Sequence, residues 1–122
     1  MATPLSLFVK QLSSLGAELN DMYPEDVDIK MAKNTIETMK TLNPKMLLDT
    51  FYQFVHPYRE QVLNREEAFF LDMDYTNLVP EQANIATVMN LKKYWSGMSD
   101  QTKDCMWQYF GVLVKLAEKA RG

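Results

Sequence analysis

Ser99-Asp100-Gln101-Thr102-Lys103-Asp104-Cys105-Met106-Trp107-Gln108-Tyr109-Phe110-Gly111-Val112-Leu113-Val114-Lys115-Leu116-Ala117-Glu118-Lys119-Ala120-Arg121 is the stretch whose reading decides the fold. Met106, Phe110, Leu113, Ala117 and Ala120 recur at three and four residues, the spacing of one helical face, and Trp107 and Val114 widen that face. Ser99 supplies an N-cap, and Lys115, Lys119 and Arg121 in the final turns complement the negative helix end. A helix of this length with so wide an apolar stripe has to bury it against other elements, which predicts a helical core with this helix at its centre.

The rest of the chain offers the partners. Upstream, the spacing predicts a helix from about Glu81 to Trp95, with Ile85, Val88 and Met89 inward and Ser96-Gly97 as its end. Asp72 to Pro80 has no helical period and many turn formers, so it is expected to be a loop. At the other end of the chain, Thr3-Pro4 is a helix start followed by Leu5, Phe8, Leu12, Leu15, Leu19 and Met22 on one face, where Gly16 weakens the helix or admits a close neighbour. Tyr23-Pro24 breaks that pattern. A second helix with Ile29, Ala32, Ile36 and Met39 inward follows, its positive end favoured by Asp26 and Asp28. Asn43-Pro44 starts a third, carrying Met46, Leu47, Phe51, Phe54 and Val55 until Pro57 kinks or breaks it. The period resumes at Tyr58, Val62 and Leu63, and Asn64-Arg65-Glu66-Glu67 resembles a capping box with asparagine leading. With no strand-like alternation, internal repeat or low-complexity linker, residues 1–122 are expected to form one all-α compact domain of five or six helices with a long C-terminal helix.

Reactive side chains are scarce. One histidine, one cysteine and four scattered glycines leave no nucleophile with its base, no metal ligand set and no phosphate cradle, so no enzymatic activity, cofactor or metal is expected. Asp72-Met73-Asp74-Tyr75-Thr76-Asn77 opens like a calcium loop, yet its sixth position is Asn77 instead of glycine and its twelfth is Ala83 instead of glutamate, which reads as a solvated acidic loop. His56 fits a helix C-terminus better than an acid-base role, and Cys105, one residue before the apolar face, fits a packed thiol. The lone cysteine forms no internal disulfide, and the N-terminal residues lack the basic start and apolar run of a signal peptide. No stretch reaches the roughly 20 apolar residues of a membrane span, so an intracellular location is expected.

The apolar content of 47% suits a folded protein, and the net charge of −3 offers nucleic acid no general attraction. Charge is unevenly spread: residues 65–81 sum to −4 and residues 82–122 to +3, so the acidic middle is expected to face the basic end. Nine methionines and several large aromatics exceed the obvious needs of one small core; core packing explains most of them, and a partner-binding patch is the alternative. Phe69, Phe70, Leu71 and Met73 sit among Glu66, Glu67, Asp72 and Asp74, and so many adjacent apolar side chains on a short helix cannot all face one core. Together with Tyr94 and Trp95, which follow Lys92-Lys93 and could also serve as a stacking platform or, for the tryptophan, simply pack between helices, they form the candidate protein interface.

Two segments carry a resemblance. Phe54-Val55-His56-Pro57-Tyr58-Arg59-Glu60-Gln61-Val62-Leu63-Asn64-Arg65-Glu66-Glu67-Ala68-Phe69-Phe70-Leu71, taken with Trp95 to Lys103 and Trp107 to Lys119, resembles small helical proteins encoded by large nucleocytoplasmic DNA viruses of algae and amoebae. The resemblance spans residues 44–120 and names no catalytic residue. It implies a viral, virion-associated protein such as a minor capsid protein, found in host cytoplasm or in the particle, with capsid or other virion chains as partners. The alternative is an adaptor that binds nucleic acid or a host regulator through the basic C-terminal part.

Overall fold

The computed structural model describes residues 2–72, 86–87 and 91–122, and among these the secondary structure is entirely helical, without strands. The helices are α1 (Pro4–Met22), α2 (Val27–Leu42), α3 (Pro44–Val55), a 3-10 turn (His56–Tyr58), α4 (Arg59–Leu63), α5 (Glu67–Asp72), α6 (Lys92–Trp95) and α7 (Asp100–Arg121).

Local chemistry sets most of the boundaries. At the start of α1 the Thr3 hydroxyl accepts from the Ser6 amide at 3.1 Å while the Thr3 amide donates to the Ser6 hydroxyl at 2.9 Å, a capping box with serine in the place of glutamate. Asp26 caps α2 by accepting from the Ile29 amide, Asn43 caps α3 through the Met46 amide, and Ser99 caps α7 through the Thr102 amide. Pro57 turns the backbone into the 3-10 segment, so the chain re-enters α-helix at Arg59 after a kink.

Two sequence expectations change. Asn64 does not cap the following helix; it closes α4. The Glu66 amide reaches back to the Gln61 carbonyl at 3.0 Å and the Arg65 amide to the Val62 carbonyl at 3.1 Å, with Arg65 left-handed at φ 53°, which is a Schellman closure with arginine where glycine usually stands. The helix expected from Glu81 to Trp95 is interrupted: Leu91 is non-helical and precedes the four-residue α6. Ile85, Val88 and Met89 lie outside the described residues.

Phe8, Leu12, Leu15 and Leu19 of α1 are fully buried, as are Met106 and Leu113 of α7, and the two helices form the most extensive packing in the molecule. α1 also packs on α2 and α3, so the centre belongs to α1 as much as to α7. Against α2 the approach is antiparallel: a methyl at Gly16 would stand 3.6 Å from the Lys33 Cα and 3.7 Å from the Ile36 side chain. From Asp49 to Arg65 the chain runs back along α7, pairing Asp49 with Arg121, Arg59 with Glu118 and Arg65 with Asp104.

Candidate interaction surface

α5 follows the Schellman turn, whose Arg65 is held by Asp104 of α7 at 2.5 Å. Its sequence, Glu-Ala-Phe-Phe-Leu-Asp, is mostly apolar, yet none of its residues is fully buried. Phe70 and Leu71 lean on the core, with the Phe70 ring 5.6 Å from that of Trp107 and nearly perpendicular to it. Phe69 lies one position round the helix and, among the described residues, meets the flank, its ring 5.4 Å from Tyr58 and 5.5 Å from Phe70. Glu66, Glu67 and Asp72 stand exposed around this ledge. Met73 lies outside the described residues.

Tyr94 and Trp95 sit elsewhere and do other things. Trp95 is only 6% exposed and packs edge-on to Trp107 at 5.6 Å, so its ring belongs to the core and is not a surface anchor. Its indole N–H is buried without a hydrogen-bond partner among the described residues. Tyr94 stacks on Tyr23 at 3.7 Å and donates its hydroxyl to Asp26, whose other oxygen already caps α2. Lys93 completes the corner with its ammonium 2.7 Å from Asp26. The hydrogen bonds from Lys93 and Tyr94 hold the Asp26 carboxyl far below the usual carboxylate range, and donating to Asp26 pushes both Lys93 and Tyr94 upward. With Trp95 buried and Lys93 committed to Asp26, the stacking platform envisaged at residues 92–95 is not assembled.

The remaining reactive side chains are embedded in structural contacts. His56 ends α3, stacks on Tyr52 at 4.3 Å and places Nε2 3.7 Å from the Glu118 carboxylate that also accepts from Arg59 at 2.6 Å. The Arg121 guanidinium lies over the same Tyr52 ring at 4.5 Å. Cys105 lies 3.9 Å from Glu18, to which Tyr109 donates at 2.8 Å. Burial, reinforced by the Glu18 charge, pushes the Cys105 thiol up and the Tyr109 phenol to about 12, the opposite of the shift a nucleophilic thiolate needs.

Among the described residues no three histidine, cysteine or acidic side chains converge as a metal site, and no helix is long and apolar enough to cross a membrane. Asp72 is exposed at the end of α5, and the other positions of the calcium-like motif, 73–83, lie outside the described residues. Tyr23, Glu18 and Tyr109 were not flagged by the sequence; each acts through a partner far away in the chain. Compared with known proteins, the chain matches no protein-family model, no curated protein and no solved structure.

Proposed function

We propose that the protein is a non-enzymatic module that binds other protein chains, using the Phe69, Phe70 and Leu71 ledge of α5 as its contact surface. The observation that carries this reading is that a helix whose centre is Ala-Phe-Phe-Leu buries none of its residues completely, while exposed Glu66, Glu67 and Asp72 stand at its two ends. Aromatic anchors inside a polar rim have the anatomy of a protein interface, in which truncating an anchor costs on the order of 2 kcal/mol of binding. An intracellular setting in or on a virion, as a minor capsid or other particle-associated chain, belongs to the same proposal and is supported by the resemblance of residues 44–120.

The test separates folding from contact. Phe69→Ala is expected to change unfolding free energy by less than about 1 kcal/mol, because among the described residues its ring meets Tyr58 and Phe70 and does not pack against the core, whereas Phe70→Ala removes a ring packed on Trp107 and costs about 2–3 kcal/mol. In extracts of cells that make the protein, size exclusion should find the wild type in high-mass fractions and the folded Phe69→Ala variant shifted towards the monomer. A cost of roughly 3 kcal/mol or more for Phe69→Ala would place that ring in the core. Identical elution of variant and wild type would equally overturn the reading.

A further inference from the structure

α5 and the last turns of α7 carry opposite charge and do not meet within the chain. Glu66, Glu67 and Asp72 around the ledge are exposed and make no ion pair among the described residues. The same holds for Lys115 and Lys119, one helical turn apart on the outer side of α7. One turn before Lys115, Val112 is 41% exposed, the one large apolar side chain of α7 among the exposed ones of the described residues; Leu7, Val27, Met31 and Leu42 of α1 and α2 are the others. The ledge reaches α7 at Trp107 through Phe70. At 1.5 Å per residue Lys119 lies about 18 Å further along the helix. That is more than twice the screening length of about 8 Å in physiological salt. Lys119 therefore lies out of reach of the ledge, whereas Lys92, also in the basic part of the sequence, lines one groove with Glu67, Phe70 and Leu71; Asp74 and Glu81 of the acidic segment lie outside the described residues.

The two surfaces complement each other between molecules: aromatic rings beside exposed Glu66, Glu67 and Asp72, with Lys92 alone of opposite sign in the groove they share, on one, and a valine beside two ammonium groups on the other. We infer that the ledge is occupied by a second copy of this chain, which docks head to tail through Val112, Lys115 and Lys119 of its α7. The inference rests on the reading of α5 as a contact surface and names its partner. Because the two patches differ and are separate on the surface, each docked copy still presents a free ledge at one end and a free basic patch at the other. Such a contact propagates into open chains or closes into rings; it does not stop at a twofold dimer. Both patches are small, which places the contact among weak interfaces of under about 1,200 Å².

Sedimentation of the purified full chain tests this. From about 10 µM to about 1 mM at low salt, the weight-average mass should climb continuously above the 14.2 kDa monomer, as expected of a weak contact. Raising salt to about 0.5 M should lower the association constant several-fold. The charge reversals Glu66→Lys with Glu67→Lys, and separately Lys115→Glu with Lys119→Glu, should each leave a folded monomer by circular dichroism. Mixing the two should restore association, since each supplies the complement of the other. A wild type that stays monomeric throughout the range overturns the proposal, as does loss of association with only one of the two reversals. Binding of a mixed-sequence single-stranded oligonucleotide that requires Lys115 and Lys119, with no self-association, would give the basic patch to nucleic acid instead. If the purified chain is monomeric while its high-mass fractions in extracts still depend on Phe69, self-docking fails and the wider reading of α5 stands.

Discussion

Replacing Asp26 tests how the α6 corner is held. The side chain is 4% exposed and one carboxylate serves three donors: the Ile29 amide, the Tyr94 hydroxyl and the Lys93 ammonium. Loss of an N-cap costs about 1 kcal/mol. Hydrogen bonds to a buried charge contribute about 1.5–3 kcal/mol, and Lys93, itself largely exposed, adds little because water screens it. Asp26→Ala should therefore destabilise by about 3 kcal/mol, and Asp26→Asn, which keeps the cap and loses the charge, by about 1.5 kcal/mol. For a chain of 122 residues these correspond to Tm losses of about 12 °C and about 6 °C. The pH dependence has a fixed sign. A carboxyl whose folded pKa lies below its unfolded value stabilises fully above the unfolded value, near 3.8, and the contribution drains away as pH falls below it. The gap in unfolding free energy between wild type and Asp26→Asn, read by chemical denaturation, should thus be constant from pH 7 to about pH 5 and shrink towards pH 2.5. Equal stability of wild type and Asp26→Ala would refute the argument. A gap that widens on acidification would refute the electrostatic part alone.

Two further substitutions probe backbone geometry. Gly16→Ala should raise Tm by about 2–4 °C, because its methyl would meet Lys33 and Ile36 at ordinary contact distances while the helix gains about 0.5–1 kcal/mol of propensity; a fall in Tm would mean that α1 and α2 need the glycine. Arg65→Gly should be neutral to about 1 kcal/mol stabilising, since relief of the left-handed backbone outweighs a half-exposed pair with Asp104; a loss above about 1 kcal/mol in denaturation would show that the Arg65 contact anchors the turn.

What was legible in the sequence was what is decided within a few residues. Thr3, Asn43 and Ser99 announce helix starts because the cap and the amide it satisfies lie three positions apart, and Pro57 announces the kink because its ring acts on its own turn. Asn64 misled for the same local reason: Asn-x-x-Glu suits a helix start, and only the left-handed backbone at Arg65 shows that the segment closes the helix before it. Asp26 was recognisable as a favourable helix-start charge, but its bond to Tyr94 spans 68 positions and that of Tyr109 to Glu18 spans 91, distances at which no pattern in the sequence couples two residues. The apolar cluster at Phe69 to Leu71 was visible as an excess, and its partial exposure follows from α5 being too short to turn all of its rings inward. Trp95 looked equally available by composition and is buried because α6 is drawn onto Trp107.

The packing of α1 on α7 joins the earliest helix of the chain to a late one. During synthesis on the ribosome Phe8, Leu12, Leu15 and Leu19 emerge long before Met106 and Leu113 exist to cover them, and α2 and α3 can shield only the sides of α1 that they will occupy in the finished fold. The nascent chain must therefore carry an uncovered apolar stripe while the residues between α1 and α7 are made, several seconds at about 5–20 residues per second, and a ribosome stalled before α7 would present a sticky helical fragment to the chaperones around the exit tunnel.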